Sequence, residues 1–337
     1  MKARSRSLLP LAVLLVAAAA AVAYAYYGIG RKDEAAAAKK EADAKLYLFD
    51  PLKVKAFTVE AKGDVTKLAR TADGWRIEAP VKADAERPTA DALVDAVARL
   101  RRKAAVADAP DAAALARYGL ATPRAKVTLS VDGGKDETLA LGDDNAFDGT
   151  VFVRTTSGAV ELVPGDVKYR VERGTFDLRE KRLLPFDEKD LARVEVTGPA
   201  GSYALVKEGD AWRLAAPVAD KADPATVERV LGAIRGLRAT AFAPAADVRA
   251  SGLERPTWKV RLVDAKGAAR ALALAKPPTA KGAMPDEGLY ARLEGSAEVA
   301  KVSGGAVADL EPGLAALRAK PPPPPAAEAK ASTSGTK

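Results

Sequence analysis

The chain has 337 residues, of which 48% are hydrophobic and 29% charged, a composition that supports about two packed domains and excludes a largely disordered protein. Lysine and arginine number 53 against 45 acids, a surplus of +8 spread without a concentrated basic block; it suits a solvated surface and is compatible with anionic lipid, wall polymer or nucleic acid. Histidine and cysteine are both absent, which excludes Ser-His-Asp and Cys-His catalysis, histidine general bases, thiolate or imidazole metal sites, disulfides and lipid attachment through an acylated cysteine.

Residues 1–7, MKARSRS, carry Lys2, Arg4 and Arg6 and no acid, and 8–27, LLPLAVLLVAAAAAVAYAYY, hold no charge at all. That apolar length spans a hydrocarbon core of roughly 30 Å, and Tyr24, Tyr26 and Tyr27 sit where aromatic rings favour the interface. The expectation is an uncleaved transmembrane signal anchor over 8–27 with a cytoplasmic flank at 1–7. The chain would then be a single-pass protein of a bacterial inner membrane, with everything after Gly28 on the extracytoplasmic, periplasmic side. Ala21-Val22-Ala23 and Ala23-Tyr24-Ala25 resemble cleavage sites, so a cleaved signal peptide stays open; it exports the remainder equally. Residues 28–46 read as a helical spacer, through the alanine and mixed charge of DEAAAAKKEADAKL.

GWRIEAPV at 74–81 returns as AWRLAAPV at 211–218. The shift that maps Trp75 onto Trp212 also maps Phe57 onto Val194, Val59 onto Val196, Leu68 onto Leu205, Pro80 onto Pro217, Leu93 onto Val230, Val97 onto Ile234 and Leu100 onto Leu237. Slightly different shifts pair Gly119-Leu120 with Gly252-Leu253, Pro123 with Pro256 and Phe152 with Tyr290. The chain therefore holds two copies of one unit, placed at 47–186 and 187–320.

Within each copy, alternation predicts a first strand (57–61; 193–197), a second (65–71; 203–207), a turn at Asp73-Gly74 or Gly209-Asp210, and a third strand carrying the tryptophan. Apolar spacing of three and four over Leu93, Val97, Leu100 and over Val227, Val230, Ile234, Leu237 predicts the main helix, and Asp223-Pro224 is a start signal. Arg99, Arg101, Arg102 and Lys103 are expected at the carboxyl end of the first helix, complementing its dipole. YGLATP (118–123) and SGLERP (251–256) read as a left-handed glycine cap followed by proline. Strands follow at 126–131, 138–141, 151–155 and 160–163, and in the second copy at 259–263, 271–274, 289–293 and 299–302. Residues 321–337, five prolines and then AAEAKASTSGTK, read as a Pro-rich disordered tail. The fold class is thus α+β: two tandem homologous units, each a mostly antiparallel sheet with one main helix, after an N-terminal transmembrane helix.

The W-x-[IL]-x-x-P phrase, the helix, the [YS]-G-L-x-x-P step and LREKRLLPF (178–186) resemble the bacterial domain-of-unknown-function family numbered forty-three forty, over about 47–320. The resemblance implies one amino-terminal membrane helix and gene neighbours among auxiliary parts of gliding-motility-type ABC transporters. It carries no catalytic residue across.

Without histidine or cysteine, paired carboxylates are the main acid-base option. The densest acidic stretch, LGDDNAFDG, groups Asp143, Asp144, Asn145 and Asp148 but lacks the spacing of a calcium loop, and reads as an Asn- and Asp-rich hairpin. Ser334 to Lys337 fits Ser-x-x-Lys, by chance in the tail. Phosphate-loop and dinucleotide fingerprints are absent from any convincing context, and aromatics at 5% are too few for a nucleic-acid stacking surface. The expectation is a non-enzyme with no cofactor, metal or nucleic-acid partner: a membrane-anchored extracytoplasmic scaffold or accessory protein, with ABC transporter subunits among its candidate partners. The alternatives are an envelope-polymer or anionic-lipid binding module and, behind it, a carboxylate-dependent hydrolase.

Overall fold

The computed structural model describes residues 14, 15, 17–19, 44–243, 251–277 and 288–319. The described residues of the expected membrane segment are helical, with Leu14 and Leu15 exposed; the rest of 8–27 lies outside the described residues, as do the spacer up to 43 and the tail. Among the described residues no helix is long and apolar enough to cross a membrane.

The chain divides into two units between Glu180 and Lys181. Each is built on a nine-stranded antiparallel sheet with few helices, so the units are richer in sheet than an even α+β mixture. In unit 1 the strands are β1 (Val54–Ala61), β2 (Asp64–Thr71), β3 (Gly74–Ala79), β4 (Ala83–Asp84), β5 (Ala104–Ala107), β6 (Ala125–Val131), β7 (Glu137–Asp144), β8 (Thr150–Thr155) and β9 (Val160–Pro164), in the order β4-β3-β2-β1-β6-β7-β8-β9-β5. Unit 2 repeats the order with β10 (Leu191–Gly198), β11 (Gly201–Glu208), β12 (Ala211–Ala216), β13 (Asp220–Lys221), β14 (Ala241–Ala243), β15 (Trp258–Asp264), β16 (Ala269–Ala275), β17 (Leu289–Leu293) and β18 (Val299–Val302). Register agrees as well: Phe57 pairs with Leu68 and Leu129, and Val194 with Leu205 and Leu262.

The sheet's first and last edges are joined through the main helix. Helix α1 (Arg87–Ala98) leaves β4 at one edge and its chain reaches β5 at the other, so the helix lies across one face and covers it. Its Leu93, Val94 and Val97 are at most 1% exposed, and burial of such side chains stabilises by about 1.5–3 kcal/mol each. Unit 2 places α2 (Pro224–Arg235) in the same way, with Val230, Leu231 and Ile234 buried. Asp223 caps it as its sequence suggests, its side chain accepting from the Thr226 amide at 2.8 Å. Each unit keeps its own core, Phe57, Leu68, Trp75 and Ile77 in one, Leu205, Leu214, Leu231 and Ile234 in the other.

Three expectations shift. The segment RLLPF, read from sequence as the close of unit 1, opens unit 2: Arg182 bridges to Arg238 as Lys45 bridges to Arg101, and Leu184 is buried in the second core as Tyr47 is in the first. The end of the expected helical spacer, residues 44–46, is correspondingly not helical but bridges to the chain after the first helix, the Leu46 amide donating to Leu100 O at 3.1 Å and the Arg102 amide to Ala44 O at 2.7 Å. The cation group after the first helix is not gathered on its last turn either. The helix stops at Ala98 and Arg99 caps it, while Arg101 enters the bridge to Lys45 and Arg102 reaches Glu161 at 2.7 Å.

Candidate functional site

Trp75 and Arg70 face each other across β2 and β3, and Trp212 and Lys207 do so across β11 and β12. In unit 1 this corner is sealed. The Arg70 guanidinium lies 4.2 Å from the Trp75 ring centroid, held by Nε to Val54 O at 2.7 Å and Nη2 to Pro51 O at 3.1 Å. Phe57 packs edge-on against the same indole at 4.8 Å, and Trp75 Nε1 donates to Asp91 Oδ1 at 2.8 Å. Arg87 closes the rim through Asp91, and Trp75 is 4% exposed.

Unit 2 exchanges nearly every piece of that lid. Phe57 becomes Val194, Arg70 becomes Lys207, Arg87 becomes Pro224 and Asp91 becomes Glu228. Lys207 keeps a single bond of the arginine it replaces, Nζ to Glu188 O at 2.8 Å, and Glu188 is the counterpart of Pro51. Glu228 turns to Arg235 at 2.9 Å instead of to the tryptophan. Trp212 is therefore only half-buried, and among the described residues neither a cation nor a hydrogen-bond acceptor meets its indole.

The result is a cleft of 870 Å³ between the β11–β12 hairpin and the first turns of α2. Four acids line it, Glu188, Glu208, Asp210 and Glu228, against two bases, Arg213 and Lys221, on a chain whose overall balance is +8. Arg213 holds Glu208 at 3.3 Å, and Arg235 holds both Glu188 and Glu228. The Asp210 carboxylate has no partner among the described residues. An aromatic face ringed by carboxylates is chemistry for receiving a cation.

The acidic stretch singled out in the sequence is a hairpin in which Asp148 is bonded within the loop and Asp144 is held by cations from elsewhere in unit 1. Asp148 accepts from the Thr150 hydroxyl at 2.6 Å, the Thr150 amide at 3.1 Å and Asn145 Nδ2 at 2.9 Å. Asp144 is held by Lys168 at 3.0 Å and Arg124 at 3.3 Å, and the Lys168 hydrogen bond, first among its influences, keeps its carboxyl below the usual range. Asp143 stays apart, beside Gly119. Among the described residues no three acids converge as a metal site would require. Ser334 and Lys337 lie outside the described residues.

Sequence reasoning missed Glu188, Glu208, Glu228 and the opening of Trp212. The signal was available in the repeat itself, as the loss of Arg70 and Phe57 around a retained tryptophan. No curated protein and no solved structure matches the chain. The profile of the family described as Domain of unknown function (DUF4340) matches residues 75–256, from the first tryptophan strand of unit 1 to the edge of β15 in unit 2. That match covers more than half of the chain, which belongs to the DUF4340 family.

Proposed function

We propose that the protein is a membrane-anchored, extracytoplasmic scaffold or accessory protein that binds other polypeptides, with ABC-type transporter subunits as the partners the sequence resemblance points to. The observation that carries the binding part is the asymmetry of the repeat. One unit covers its tryptophan with its own arginine, and the other keeps the tryptophan and opens a charged cleft over it. Within that cleft Glu188, Glu208 and Glu228 are each held by a guanidinium group, an arrangement that supports recognition of a polar or charged partner. The anchor is supported by the uncharged run at 8–27 behind three cations.

Deleting residues 1–27 tests the reading. The truncated chain is expected to fold and stay in solution while losing its function in the cell, because a docking subunit acts only where its partner is. A truncated chain that restores wild-type behaviour to a deletion strain would overturn the anchored role. Salt-sensitive sedimentation of the truncated chain with anionic vesicles or wall material, in place of protein partners, would replace it with polymer or lipid binding.

A further inference from the structure

We propose that the unit 2 cleft is an arginine-recognition site: the indole face of Trp212, flanked by Glu188 and Glu228, receives the guanidinium of an arginine carried by a partner polypeptide. This rests on the polypeptide-binding reading above and names the chemistry it selects.

The template is inside the same chain. Unit 1 shows what this corner of the fold holds when complete, a guanidinium stacked on the indole at 4.2 Å with a carboxylate, Asp91, 3.8 Å from its Nη1. Unit 2 keeps the platform (Trp212) and a carboxylate at the position of Asp91 (Glu228, here paired with Arg235), while Lys207 takes the carbonyl that answers to Pro51 O, so no guanidinium lies on the indole. Lysine cannot substitute there. Its ammonium is a compact, strongly hydrated point charge without a planar face, and Lys207 spends it on the Glu188 carbonyl, away from the ring. The remaining cations of the corner are also committed or rim-placed: Arg213 to Glu208, Arg235 to Glu188 and Glu228, with Lys221 on the cleft wall. Of the four acids in the lining, Glu208 is held by Arg213 and Glu188 and Glu228 by Arg235, which leaves Asp210 as the carboxylate without a partner among the described residues. At 870 Å³ the cleft exceeds one side chain, so backbone on either side of the arginine enters with it.

The full chain, purified in detergent micelles with ¹⁵N-labelled tryptophan, gives indole N–H resonances for Trp75, Trp212 and Trp258, and Trp212→Phe assigns the one of interest. Titration with N-acetyl-arginine amide is expected to move the Trp212 resonance saturably, with a Kd on the order of 1 mM for so small a ligand. The citrulline analogue, of the same shape but neutral, is expected to leave it in place, and the lysine analogue to bind about fivefold more weakly or worse. Lys207→Arg, which restores the unit 1 arrangement, is expected to fill the cleft from within and abolish the response. Asp210→Asn, at the exposed turn, is a second variant that does not touch the core and is expected to weaken binding about twofold. No saturable shift at concentrations about tenfold above that Kd, an equal response to citrulline, or an unchanged response in Lys207→Arg would each overturn the proposal. Because the probe is a capped amino acid and the protein is purified, these results are independent of which complex the chain joins in the cell.

Discussion

Arg102 and Glu161 form an ion pair at 2.7 Å in which the glutamate is 2% exposed and its Oε2 has no hydrogen-bond partner. The equivalent positions of unit 2 hold Ala239 and Ala300, both buried, so the two copies have exchanged a charged pair for a small apolar one as a unit. Removing one partner strands a buried charge, whereas removing both need not. Arg102→Ala is expected to destabilise unit 1 by about 3 kcal/mol, the low end of the range because the arginine side chain is 41% exposed. Arg102→Ala with Glu161→Ala together should recover most of that loss, as a denaturant double-mutant cycle would read; additive losses would show that the pair is not coupled. Asp144 sets a pH dependence of defined sign. Its folded pKa is depressed, so its stabilising contribution is present above the ordinary carboxylate range, about pH 4, and disappears as pH falls through the depressed value. Asp144→Asn should therefore lower the melting temperature near neutral pH and converge on wild type in acid; an equal offset at every pH would contradict it.

At the scale of elements, the glycine steps predicted as caps are left-handed, Gly119 at φ 68° and Gly252 at φ 75°. Their surroundings differ. A Cβ on Gly252 would stand 2.7 Å from the Lys276 carbonyl, which is backbone, while one on Gly119 would meet the tip of the Asp143 side chain, which can swing aside. Both alanine variants should cost the left-handed penalty of about 1–2 kcal/mol, and Gly252→Ala measurably more. Equal melting shifts would remove the steric part of that argument. The strands that alternation marks, from β1 to β3 and β6 to β9 and their counterparts, were legible because one face is core and the other water. The two-residue β4 and β13 are too short to carry a period, and the edge strands β5 (AAVA) and β14 (AFA) hide in alanine, which favours helix. The site was legible only in part. The repeated tryptophan phrase advertises what the copies share, whereas the cleft arises from what they do not share: Lys207, Val194, Pro224 and Glu228.

On the scale of the whole molecule, the chain is a duplicated unit with two cores, which makes a local prediction about cooperativity. Leu205→Ala, at a side chain that is 0% exposed, should destabilise unit 2 by about 2–5 kcal/mol and leave hydrogen exchange across β1, β2 and β6 of unit 1 unchanged. A matching loss of protection in unit 1 would mean that the two cores unfold as one. Duplication also gives a route to a binding surface. Unit 1 carries a guanidinium on its tryptophan, whereas unit 2 carries none on its own and has an open cleft there, the surface on which the proposed docking would act. The central claim, a membrane-held accessory protein that docks a partner polypeptide, is tested most directly by photo-crosslinking in living cells. A photoreactive residue would replace Asp210 in the full chain, followed by detergent extraction, pull-down and mass spectrometry. The account predicts reproducible adducts with transporter subunits, formed through an arginine-containing segment and lost with Lys207→Arg. Adducts only with this chain itself or with wall fragments, or adducts indifferent to Lys207→Arg, would contradict it.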